Sequence, residues 1–202
     1  MKLVLKSEVG NWERFVQRKE HEKFKQIRAD ILYRDAFTCQ FCAQVSQALE
    51  VINADNNYRH NVPTNMVSAC ELCARVNLLD SYAMDYAGQD RIIYFPELLQ
   101  EQMNQLCRML FCKMTMEGES TYNAKRIFAQ LQDRAAWLNQ KANCQLSHPG
   151  MFNVYFRQQQ KDPQLIQQLR WLPHFDSYQE SVPRWKDEIT SMVEAAESAD
   201  AE

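Results

Sequence analysis

The stretches Cys39-Gln40-Phe41-Cys42 and Cys70-Glu71-Leu72-Cys73 form two C-x-x-C pairs separated by a spacer of roughly thirty residues. Two residues between cysteines let one tight turn aim both sulfurs at the same ion. Four thiolates at this spacing close a tetrahedral site with no open position, which is the pattern of structural zinc. Cys39, Cys42, Cys70 and Cys73 are therefore the candidate metal ligands, and zinc the expected structural ion. A single iron in the same four thiolates reads identically in sequence. A redox role needs one C-x-x-C pair in a βαβ setting, which the flanking sequence does not offer. Metal binding at these positions supplies folding free energy to a stretch that is otherwise rich in loops.

Working outward, the rest of the chain reads as ordinary and helix-rich. Of 202 residues, 46% are hydrophobic and 24% charged, with only four glycines and six prolines to interrupt helices. The net charge of -3 gives no global attraction to nucleic acid or to anionic membranes. The opening MKLVLKSEVG has an apolar run too short for a signal peptide, and no stretch approaches the length of a membrane span. A reducing, cytoplasmic setting is expected, which favours metal over disulfides for the seven cysteines. Cys107, Cys112 and Cys144 are left over, and Cys107, in an apolar helical stretch, reads as a core thiol.

Residues 2–6 alternate like a short strand. Residues 11–34 read as one helix, with Phe15, Phe24, Ile27, Ile31 and Leu32 on its inner side. Its outer side carries Arg14, Arg18, Lys19, Lys23, Lys25 and Arg28 among Glu13, Glu20 and Glu22, a mixed solvated face or a phosphate-contacting one. Residues 49–52 read as a strand, and the second cysteine pair opens a helix from Glu71. A helical continuation over 81–87 stops at Gly88, and residues 91–95 form a strand. Leu99, Met103, Leu106, Leu110 and Met114 repeat at helical spacing, as do Ala124, Ile127, Phe128, Leu131, Ala135 and Leu138. Ser120 or Thr121 caps the second of these helices. His148, Pro149 and Gly150 mark a loop, and Pro163 opens a short helix through Leu172. The expected architecture is α+β. Residues 1–95 form a metal-binding core, 96–186 a helical extension packed on it, and 187–202 a disordered acidic tail.

The segment from Arg34 to Asn77 resembles the HNH endonuclease core, a ββα-metal fold with two zinc knuckles. The matching residues are Arg34-Asp35, Cys39 and Cys42, Leu49-Glu50-Val51, Asn65-Met66-Val67, and Cys70 and Cys73. In that family the strand ends in a histidine that deprotonates the attacking water, beside a divalent ion that polarises the phosphate. Here that position is Asn53, preceded by Ile52. A carboxamide has no lone pair basic enough to serve as a general base near neutral pH. Asn65 matches the family's middle asparagine, and Ala74 stands where a last metal ligand is common, with Asn77 near but displaced. The resemblance implies a retained fold and lost catalysis, with no catalytic residue assigned. The alternatives are a metal-dependent nuclease using Asp55 or His60 as a substitute base, or a nucleic-acid binder using the basic residues of the first helix.

Over its whole length the chain also resembles a family of cytoplasmic components of the Dot/Icm type IV secretion systems of intracellular bacterial pathogens. The residues that carry this are MKLVLKSEVGNWERF, YRDAFTCQFCA and LEVINAD. The resemblance implies a non-catalytic zinc-stabilised adaptor that binds the C-terminal extension of the coupling ATPase DotL. It further implies a coupling complex with IcmS, IcmW and LvgA, peripheral to the inner membrane, that recruits effector proteins for export.

Overall fold

Phe15 and Phe24 are nine residues apart, so on one straight helix they would face opposite sides. In the computed structural model, which describes residues 1–83, 89–158 and 162–199, the chain resolves this conflict by breaking. Helices α1 (Asn11–Lys19) and α2 (Glu22–Arg34) are separate, with His21 extended between them. Each turns its own phenylalanine inward, and Phe15, Phe24, Ile31 and Leu32 are all buried. The single helix expected over 11–34 is thus two. Residues 2–6 keep their alternation, with Leu3 and Leu5 buried, but pair with no strand among the described residues. Only the Lys6 N–H reaches across, to the Val76 carbonyl at 3.3 Å.

Strands β1 (Glu50–Asn53) and β2 (Met66–Ala69) form an antiparallel pair, with Glu50 opposite Ala69 and Asn53 opposite Met66. Helix α3 (Glu71–Val76) follows directly. Leu79–Ala83 is a 3-10 turn; the continuation expected beyond it to Ala87, with its stop at Gly88, lies outside the described residues.

A second antiparallel pair joins β3 (Arg91–Tyr94) to β4 (Leu169–Leu172). Pairing a strand before residue 95 with one far beyond it ties the two halves of the chain together. Between them lie α4 (Gln100–Met114) and α5 (Glu119–Ala142), the two long helices expected from spacing, packed against each other. Gly118, at φ 90°, opens α5. Thr121, expected as its cap, instead donates to the Lys113 and Met116 carbonyls at the end of α4. The stretch at 148–150, read as loop, starts helix α6 (Pro149–Arg157), with the His148 ring accepting from the Gly150 N–H at 3.1 Å. Helix α7 (Pro163–Gln168), capped by Asp162, ends short of the expected Leu172 because Leu169–Leu172 is drawn into the β3 ladder and buried at every position. Helix α8 (Val182–Ala199) replaces the first part of the expected disordered tail, anchored by buried Val182 and Trp185. Phe111 of α4 sits at the middle of the core, with ring centroids 5.3 Å from Phe128, 5.4 Å from Phe175 and 6.5 Å from Trp185. No described helix is long and apolar enough to cross a membrane.

Candidate metal centre

The first cysteine pair rides on a tight reversal. Ala36 and Phe37 both take left-handed backbone angles, φ 49° and 50°, and Ala43 takes φ 59°. The Ala43 N–H closes on the Cys39 carbonyl at 3.0 Å, and the Cys39 N–H on the Gln44 carbonyl at 2.8 Å. The second pair uses a helix start: Cys70 precedes α3 and Cys73 lies in its first turn, with the Ala74 N–H on the Cys70 carbonyl at 2.8 Å. Two bonds hold the reversals in register. The Gln40 N–H donates to the Ser68 carbonyl at 2.9 Å, and the Ser68 N–H donates to the Asp35 carboxylate at 2.8 Å.

The result brings Cys39, Cys42, Cys70 and Cys73 together, all buried, with their sulfurs within 4.8 Å of one another and Cys42 to Cys70 at 3.6 Å. Thiolates bound tetrahedrally at about 2.3 Å from one ion stand about 3.8 Å apart, so the donor set fits a single tetrahedral metal. The four thiols titrate as a set. Hydrogen bonds from Cys42, Cys70 and Cys73 drive the Cys39 pKa far down, and contacts with Cys39 and Cys42 push those of Cys70 and Cys73 up. The remaining cysteines stay apart: Cys107 is a buried core thiol, raised by desolvation, Cys112 is buried, and Cys144 is exposed.

Sequence reading singled out the four cysteines that cluster but not what surrounds them. Helix α4 lies against the cluster. Asn104 Nδ2 donates to Cys73 Sγ at 3.3 Å, and Gln105 Nε2 donates to the Cys42 carbonyl at 2.8 Å. Helix α8 grips both pairs. Arg184 and the Trp185 indole donate to Glu71, joined by Ser181 just before the helix, while Gln44 at 2.7 Å and Ser46 at 2.5 Å donate to Glu188. A signal for the first exists: Gln100 and Asn104, polar and one turn apart, sit beside an apolar stripe.

The position that the resemblance aligns with a catalytic base is closed. Asn53 has no exposed surface. Its Nδ2 donates to the Asn57 carbonyl at 2.9 Å and the His60 carbonyl at 3.0 Å, while its Oδ1 accepts from Arg18. Arg18 also donates to Asn61 Oδ1 at 3.0 Å and to the Val51 carbonyl. Its guanidinium lies over Phe24 at 4.7 Å, Tyr58 at 4.8 Å and Phe15 at 5.5 Å, and burial lowers its pKa to about 10. Asn65 donates to Asp55 at 2.9 Å and to the His60 carbonyl at 2.8 Å, bracing the same loop. Asp55 and His60 meet at 3.0 Å, both well exposed.

The basic face of the first helical region is largely engaged within the fold. Lys19 pairs with Glu50 at 2.7 Å and Lys25 with Glu22 at 2.6 Å. Arg14 reaches the Val9 carbonyl and Arg28 the Leu49 carbonyl. Among the described residues, Lys23 alone of the six basic residues makes no such contact.

No family model matches the chain. Among curated proteins it is similar to the type 4 apparatus protein DotN of Legionella pneumophila subsp. pneumophila (strain Philadelphia 1), with 29% identity over 189 residues. The match covers 91% of this chain and 88% of that protein, so both cysteine pairs and the helices that grip them fall within or beside one continuous relationship. The similarity to DotN thus runs along nearly the whole length of the chain.

Proposed function

We propose that this protein is a non-catalytic adaptor subunit of a type IV secretion coupling complex, its core held by a structural zinc on Cys39, Cys42, Cys70 and Cys73. In this reading, residues 1–95 are an HNH-like ββα-metal core, and 96–186 are a helical extension packed on it. The chain binds the C-terminal extension of the coupling ATPase DotL and works beside IcmS, IcmW and LvgA in recruiting effectors. It is then cytoplasmic and peripheral to the inner membrane through that complex. The relative's name supports the apparatus role. The order of β1, β2 and α3, with one cysteine pair before β1 and the other at the start of α3, supports the HNH-like core.

One observation carries the non-catalytic part: Asn53, at the position the resemblance gives to the base, is fully buried and bonded to the internal Arg18. A site that must accept water and phosphate cannot be packed with an internal arginine. If zinc is bound, it supplies shape and stability, with four thiolates leaving no position for substrate.

The test is co-purification of the full chain with the DotL tail, together with elemental analysis of the native protein. A stable complex and one zinc per chain are expected. No complex at micromolar concentration, or a folded protein without metal, overturns the reading. The exposed Asp55–His60 pair favours a second reading, a nuclease with a substitute base. Plasmid cleavage with Mg2+ or Mn2+ that vanishes on His60→Ala would establish it.

A further inference from the structure

A four-thiolate zinc centre carries a net charge of -2, and burying that charge requires hydrogen-bond donors aimed at sulfur. The first cysteine pair finds a donor within its own turn, where the Cys42 backbone N–H faces the Cys39 sulfur. For Cys73 the donor comes from elsewhere in the chain. Asn104, 1% exposed on α4, places its amide Nδ2 at 3.3 Å from the Cys73 sulfur. The orientation of this amide is set from behind: Asn104 Oδ1 accepts from Gln100 Nε2 at 2.8 Å. Gln100 is itself fixed, because its amide both donates to the Trp171 carbonyl at 2.9 Å and accepts from the Trp171 N–H at 2.8 Å. The Gln100 oxygen is thus committed to a backbone N–H, its nitrogen must face Asn104 Oδ1, and the Asn104 nitrogen is left to face sulfur.

Resting on the metal reading above, we infer that Asn104 is a positioning residue of the centre, holding Cys73 as a metal-bound thiolate through a buried amide chain rooted in β4. The N–H draws electron density from the sulfur, which strengthens retention of the ion and lowers the sulfur's reactivity toward electrophiles. Outer-shell partners of this kind are worth roughly 10–100-fold in metal affinity.

The experiment uses the full chain loaded with zinc or with cobalt. Asn104→Asp puts a carboxylate oxygen against the sulfur, and Asn104→Leu removes the donor with the same number and branching of side-chain heavy atoms. Both are expected to release zinc to a chromophoric chelator at least tenfold more readily than the parent. Both are expected to shift the thiolate-to-cobalt charge-transfer band, a spectroscopic change that loss of packing alone does not produce. Met109→Leu, at an exposed position of the same helix, is the control, and its band should stay in place. If Asn104→Asp fails to fold, Asn104→Leu decides. A parent protein without metal sinks the metal reading and this inference together. A parent with zinc whose release and cobalt band are unchanged in the foldable Asn104 variants sinks this inference alone.

Discussion

Asn53 shows how a single position can change its work. From sequence alone it is an abandoned catalytic position, and Asn53→Ala is expected to be mild by comparison with a Cys→Ser change at the four cysteines. The structure gives it other work, because the carboxamide satisfies two loop carbonyls and the Arg18 guanidinium at a position with no exposed surface. Removing one member of a buried set leaves the others unsatisfied, at about 1–3 kcal/mol and more where a charge is involved. Asn53→Ala should therefore lower stability by about 3 kcal/mol, read as a drop in the urea midpoint. Arg18→Ala should cost at least as much, since it also strips three aromatic faces of their cation. Arg18 was not legible in sequence: it sits among other charges on a helix face, and nothing in its spacing separates it from Lys19 or Arg14. The four cysteines were legible because metal coordination fixes residue type and spacing at once, which a guanidinium among aromatics does not.

At the scale of elements, the cysteine pairs are held by what lies just outside them. The Asp35 side chain, 8% exposed, connects the approach to Cys39 with β2. Burial alone would raise its pKa, but hydrogen bonds from Arg34 and Ser68 outweigh it and bring the value below the usual 3.8. A carboxyl lowered by folding stabilises above its unfolded pKa and loses that contribution as pH falls through the folded value. Asp35→Asn should thus destabilise by about 1–2 kcal/mol at neutral pH, with the gap to the parent narrowing in unfolding curves taken below pH 3.8. Glu188 does similar work from α8, and Glu188→Ala should both lower the thermal midpoint and quicken zinc release, since it frees Gln44 and Ser46 beside Cys42. Elements with strong internal spacing, such as α4 and α5, were legible. The break between α1 and α2 was not, because each half is a good helix and only the shared core forces them apart. The strand β4 was hidden for the same reason: Leu169–Leu172 takes its conformation from Tyr94 to Arg91 opposite it, not from its own residues.

At the scale of the whole molecule, the centre is joined to the helices by direct bonds rather than by a linker. Cys73 meets Asn104, the Cys42 carbonyl meets Gln105, and Glu71 meets Arg184. Metal removal is therefore expected to weaken α4 and α8 along with the knuckles. Calorimetry should show one cooperative transition in the zinc-loaded chain, and chelation should lower it as a unit. Any single Cys→Ser change at the four positions should act the same way, costing about several kcal/mol or more. Two independent transitions, only one of them sensitive to chelator, would contradict that coupling. The long reach of α8 also sets a timetable for synthesis. The cysteine turns leave the ribosome early, yet Glu188 closes onto Gln44 across 144 residues of later chain. Contacts that span such separations form last. The nascent protein must therefore carry half-gripped thiols until translation is nearly done, and the cluster closes only when the final helix arrives.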